Sequence, residues 1–138
     1  MARGENLARL KAAYAAWNDR KGDSIEVWRE LMGEPFRLGS VSAETVADLG
    51  FAGERHSKDD AIEYLTAIFE HWEMVHYTPQ HYVGDDERIA MFGMCAFRNK
   101  RTGKVAECRI ACLWRFENGK AVELIDVFDS AVAAAAAV

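Results

Sequence analysis

No run of lysines or arginines occurs in the 138 residues; the longest basic cluster is Lys100-Arg101, beside a turn, and the net charge is −5. A surface that follows a phosphate backbone needs clustered cations, so nucleic acid is not an expected partner. Apolar runs long enough for a membrane helix, about 20 residues, are also missing, and no membrane partner is expected. Nor does an apolar stretch of signal length follow Met1; the chain passes directly into a charged amphipathic segment. A cytoplasmic protein is the expectation. Cysteine is scarce and odd in number: Cys95, Cys108 and Cys112 lie in strand-like runs, without zinc-knuckle spacing. They are expected to be reduced core thiols. The glycines are scattered and none follows a strand in a phosphate-binding pattern. No nucleotide, flavin or metal motif is present, so no cofactor and no metal are expected.

What is present is an ordinary globular balance, half apolar and 28% charged, at a length that buries a sizeable core in one domain. Leu7, Leu10, Ala13, Tyr14 and Trp17 are three or four apart, which predicts a helix ending near Gly22. Asp23 stands three residues before Glu26, a capping-box spacing for a second, short helix carrying Ile25, Trp28, Leu31 and Met32 and stopped by Gly33 and Pro35. Ser57 and Asp60 open a third helix whose apolar stripe is Ile62, Leu65, Ile68, Phe69 and Trp72. A short strand is expected around Phe36 to Leu38, followed by a loop.

Beyond Trp72 the apolar period falls to about two. Turn signals at Asp85-Asp86, Asn99 to Gly103 and Asn118-Gly119 divide the rest into four strands, near 74–83, 88–98, 104–117 and 120–129. Helices over an antiparallel meander define an α+β class, in one domain over 1–138. Residues 1–4 and 131–138 are expected to be flexible tails, the latter, nearly all alanine, being either an extended, frayed helix or disordered.

A helix-covered curved sheet encloses a concave space, and strand alternation decides which side chains enter it. Cys108, Ile110, Cys112, Trp114 and Phe116 share one face, and Glu107, Arg109 and Arg115 the other. In the last strand Val122, Leu124, Asp126 and Phe128 share a face, and Asp126 is its one ionisable member. A carboxylate among apolar neighbours loses hydration, which shifts it toward the range useful for acid or base work. Asp126 is therefore the first catalytic candidate, with pairing to Arg109 or Arg115 as the alternative. Tyr14 is the second, because a phenol on a buried stripe needs a hydrogen-bond partner and can aim at a ligand oxygen. Trp17, Cys95, Cys112, Trp114 and Phe128 are candidate pocket walls. His56 precedes a helix cap, where loops open onto clefts, and His76 is placed to point inward with His81 outward; both His56 and His76 join the candidate pocket. The recurrence of His71, His76 and His81 every five residues fits neither a helix face nor a strand face, which argues against a metal.

The segments Tyr14 to Asn18 closing at Gly22-Asp23, Ser57 to Ile62, Arg101 to Lys104, Trp114 to Lys120 and Asp126 to Asp129 together resemble the SnoaL-like and ketosteroid isomerase-related members of the nuclear transport factor 2-like superfamily. The resemblance spans nearly the whole chain. It implies a cone-shaped fold of three helices packed on a curved antiparallel sheet, a deep hydrophobic pocket for a small apolar molecule, and a homodimer formed through the sheet. It also implies activities such as isomerase, polyketide cyclase, dehydratase or epoxide hydrolase. Ketosteroid isomerase uses an aspartate base with a tyrosine and a protonated aspartic acid. Tyr14 falls on or within a residue of that tyrosine, but the base falls at Leu38 to Ser40 and the acid at Cys112. The arginine between two aspartates of limonene epoxide hydrolase keeps one aspartate, at Asp126, while the other two members fall near Gly93 and Cys95. Both residue sets are incomplete.

Overall fold

The computed structural model describes residues 4–40 and 54–138. Residues 1–3 of the expected N-terminal tail, and 41–53 within the stretch expected as a loop, lie outside the described residues. The first helix, α1 (Glu5–Asp19), buries Leu10, Ala13, Tyr14 and Trp17 as its periodicity predicts. It stops because Gly22 takes a left-handed φ of 87°, from which its amide donates back to Trp17 O at 2.9 Å. A Cβ at Gly22 would fall 2.1 Å from the Phe69 ring, so the position has room for glycine alone.

Helix α2 (Ile25–Leu31) starts from Ser24 with no side-chain cap, so the expected box at Asp23 and Glu26 does not form. Met32, expected to end that helix, instead opens strand β1 (Met32–Ser40). Helix α3 (Lys58–His71) is capped as expected, with Ser57 Oγ accepting the Asp60 amide at 3.1 Å. The meander follows as β2 (Trp72–Gly84), β3 (Arg88–Asn99), β4 (Val105–Glu117) and β5 (Lys120–Phe128).

The five strands form one sheet in the order β1-β5-β4-β3-β2. The meander is antiparallel, whereas β1 pairs with β5 in parallel, bringing Ser40 opposite Asp126. The class is α+β as read from the sequence, with a fourth helix added to the three expected. That helix, α4 (Ser130–Ala136), takes the helical alternative for the alanine tail and corrects its expected flexibility over 131–138, since it is packed and not frayed. Asp129 caps it through the amides of Ala131 and Val132, and Ala133, Ala136 and Ala137 pack on Trp72 and Ala106. Alanine, which loses no side-chain entropy on burial, fits closely against a large indole.

On the helix-covered face the core centres on Trp28, stacked on Trp114 at 5.3 Å, with Tyr14 and Trp17 edge-on to Trp28. Among the described residues no helix covers the opposite face. Across it, register sets Ile125, Leu113 and Ala90 in one row and Val127, Ala111 and Phe92 in the next. Among the described residues no helix is long and apolar enough to cross a membrane.

Candidate active site

Between the helices and the inner sheet face lies a cavity of about 90 Å³, walled almost entirely by apolar groups. Five expected pocket residues line it: Trp17, Cys95, Cys112, Trp114 and Phe128, together with both catalytic candidates, Tyr14 and Asp126. In β4 the alternation holds along the strand, burying Ile110, Cys112, Trp114 and Phe116 and leaving Glu107 and Arg109 exposed.

Asp126 enters the cavity from β5. Its carboxylate takes one hydrogen bond on each oxygen: Tyr64 Oη donates to Oδ2 at 2.8 Å, and Cys112 Sγ donates to Oδ1 at 3.3 Å. Ser40 Oγ, 2.9 Å from Tyr64 Oη, completes the relay by donating to the tyrosine whose proton is committed to the aspartate. Burial raises the Asp126 pKa above the ordinary carboxylate value, against the lowering effect of the bonds from Tyr64 and Cys112. The alternative pairing does not occur. Arg115 bonds to Glu117 and Glu123 on the outer face, and Arg109 is exposed there.

Tyr14 Oη accepts a bond from the Trp114 indole N–H at 2.9 Å, leaving its own proton directed at the Cys112 sulfur. Tyr77 Oη also meets Cys112 Sγ, at 3.7 Å, and its ring stacks on Tyr14 with centroids 5.7 Å apart. Burial raises the pKa of Tyr14, Tyr64 and Tyr77 well above the ordinary phenol value. All three stay protonated and act as donors. Burial, then the Asp126 charge, also holds the Cys112 thiol protonated.

Neither histidine candidate reaches the cavity. His56 has a side chain 71% exposed, 3.8 Å from Glu54, because the bridge between Leu38 and Arg55 leaves the following residue on the surface. His76 bonds to Thr78 and Glu107 on the outer side. The register of β2 against β3 shifts between Met74 and His76, so two residues oppose one. Inward Met74 is followed by outward His76, and Tyr77 takes the inward place.

The SnoaL-like domain family matches residues 10–124, most of the chain. The chain belongs to that family. No curated protein matches the SnoaL-like chain. Among solved structures, a nuclear transport factor 2-like protein of unknown function from Burkholderia pseudomallei superposes with a TM-score of 0.77 at 23% identity, over 95% of this chain and 94% of that one. TerC, co-crystallised with polyporic acid, gives 0.74 at 21% identity over 92% and 93%. An epoxide hydrolase from Mycobacterium tuberculosis, similar to limonene epoxide hydrolase, gives 0.70 at 9% identity over 94% and 86%. At these identities the likeness is one of fold.

Within the SnoaL-like fold, the site departs from both reference residue sets for visible reasons. Gly93 has no room for a side chain, since a Cβ there would meet Thr78 O at 2.4 Å. Cys112 is part of the Asp126 hydrogen-bond set. Sequence reasoning missed Tyr64, Tyr77 and Ser40. Tyr64 was findable, because Ala61, Tyr64, Leu65 and Ile68 also satisfy helical spacing, with the stripe turned by about one residue from the one chosen. Tyr77 was hidden by the bulge, and Ser40 by a parallel pairing that no local signal encodes.

Proposed function

We propose that this SnoaL-like chain is an acid–base enzyme of isomerase or cyclase type acting on a small apolar carbonyl compound. Asp126 carries the proton and Tyr14 donates to the substrate oxygen. The observation that carries this reading is a half-buried carboxyl group in the wall of an apolar cavity, hydrogen-bonded on both oxygens and paired with no cation among the described residues. Desolvation brings its pKa toward working pH, as a general acid or base requires. A thiol is a weak acceptor, so a carbonyl or enolate oxygen near Cys112 would take over the proton of Tyr14, and Tyr77 is a second donor at the same sulfur. That TerC was co-crystallised with polyporic acid supports small-molecule binding as a use of this fold.

The test is exchange of α-protons of small apolar ketones in deuterated water, followed by proton magnetic resonance. Wild type is expected to accelerate exchange, and Asp126→Asn, folded by circular dichroism, to lose at least about a hundredfold of that rate. Equal rates in the two proteins would remove Asp126 from the chemistry. A second reading, a non-catalytic binding or assembly protein, is favoured by the modest cavity, about 90 Å³ against roughly 300 Å³ or more for ordinary ligand sites. Under that reading ketones bind in both proteins and neither exchanges protons.

A further inference from the structure

Cys95 and Cys108 face each other across β3 and β4 in direct register. The amide of Asn99 donates to Lys104 O at 2.8 Å, and alternation by two from that pair makes the cysteines a hydrogen-bonded pair as well, with Cα atoms about 5.5 Å apart. Both line the cavity, both are free thiols, and their register places the two side chains next to each other on the inner face. They differ in access: Cys95 is 5% exposed, while Cys108 is half-buried. The Asp126 relay uses neither sulfur as a hydrogen-bond donor, Cys112 filling that role.

We propose that Cys108 is a nucleophilic site in the cavity wall that adds covalently to small apolar α,β-unsaturated carbonyl compounds, with Cys95 as its hydrogen-bond donor. The ligand class rests on the reading of the cavity as a site for apolar carbonyl compounds. In the step, the Cys108 sulfur gives up its proton to solvent and its electron pair forms the new C–S bond at the β-carbon. The alkene π pair moves onto the carbonyl oxygen, and the resulting enolate takes a proton from solvent at the α-carbon. The net change is addition of S–H across C=C, with no oxidant, reductant or leaving group. The hydrogen bond from Cys95 lowers the Cys108 pKa and the Asp129 amide lowers it further, against burial and the charges of Asp129 and Asp126. The same bond raises Cys95, so the first proton leaves the more accessible sulfur.

The experiment is labelling of the full chain with 2-cyclohexenone and, separately, with the polar reagent acrylamide, read by intact mass and peptide mapping between pH 5.5 and 9. Rates are normalised to N-acetylcysteine. The expected result is one cyclohexenone adduct per chain, on Cys108, absent in Cys108→Ser, with a preference over acrylamide greater than that of the free thiol. Its rate should rise with pH through a midpoint below the ordinary thiol value of about 8.5. Cys95→Ser keeps a donor and should retain that midpoint, whereas Cys95→Ala should move it to higher pH. Each unit of that move removes about tenfold of thiolate and returns about threefold of intrinsic nucleophilicity, a net loss of roughly threefold at pH 7. Asp126→Asn should still label, so loss of proton exchange and loss of labelling are separable failures. Labelling spread evenly over the three cysteines, a rate no greater than that of N-acetylcysteine, or a midpoint identical in Cys95→Ala and Cys95→Ser would overturn the proposal. So would an untreated chain found two mass units light with Cys95 linked to Cys108, since the pair would then be a redox couple.

Discussion

Asp126 shows how a single half-buried carboxylate links chemistry to stability. Its pKa is raised in the folded chain by burial, so the native state holds the proton more tightly than the unfolded chain does. The associated stability is complete below the unfolded value of about 3.9 and is lost as pH rises through the folded value. Asparagine carries no such dependence. The melting temperature of Asp126→Asn, measured relative to wild type, should therefore climb between pH 4 and pH 8; a pH-independent difference would mean that the carboxylate is as well solvated as in the unfolded chain. Tyr64 has the opposite effect on the same group, because its bond favours the charged form. Tyr64→Phe removes that donor and orphans Ser40 Oγ, at an expected cost of about 1–2 kcal/mol in urea titrations above neutral pH and less at pH 4. Its acid limb in any proton-exchange profile should move to higher pH.

The elements of this fold were legible in proportion to how local their causes are. Helix α3 follows from a cap and a periodic stripe within one segment, and β3, β4 and β5 from alternation between clear turns. Helix α2 was harder: the start that Asp23 and Glu26 advertise yields to Ser24, and Met32 goes to the sheet because β1 needs it opposite Ala121. The site divides in the same way. Asp126, Cys112 and Trp114 were found because alternation in β4 and β5 is unbroken at those positions, while His76 was misassigned because the β2 bulge reverses the parity that placed it. The alanine-rich end shows the limit of composition as a guide, since its order comes from Trp72 and Ala106, far away in sequence. Ending the chain after Asp129 strips three buried alanine methyls from that surface, an expected loss of about 2 kcal/mol at about 0.8 kcal/mol per group. Trp72 would be uncovered, and tryptophan emission should move to the red; an unchanged melting curve would show α4 to be dispensable.

At the scale of the whole molecule, the sheet face that no described helix covers has no role in the site. Phe92, Leu113, Ile125 and Val127 are 38–47% exposed there, bounded by Arg88, Arg115 and Glu123 on one side and Arg109 on the other. An apolar centre with a charged rim suits association, and we propose that a second copy of the chain covers it. Sedimentation should give twice the mass of one chain, and Phe92→Lys should give a monomer; a wild-type monomer at tens of micromolar would rule out this use of the face. The parallel pairing of β1 with β5 sets the order of assembly. Tyr64 and Asp126 stand 62 positions apart, and Ser40 joins them only when the first strand and the last lie side by side. Contacts of such separation form late, after the costs of loop closure have been met. On the ribosome, α1, α2, α3 and the first hairpin are made before β5. Until β5 leaves the ribosome, the nascent chain holds an aromatic cradle without its acid, and its dependence on chaperones should end once that strand is free to pair.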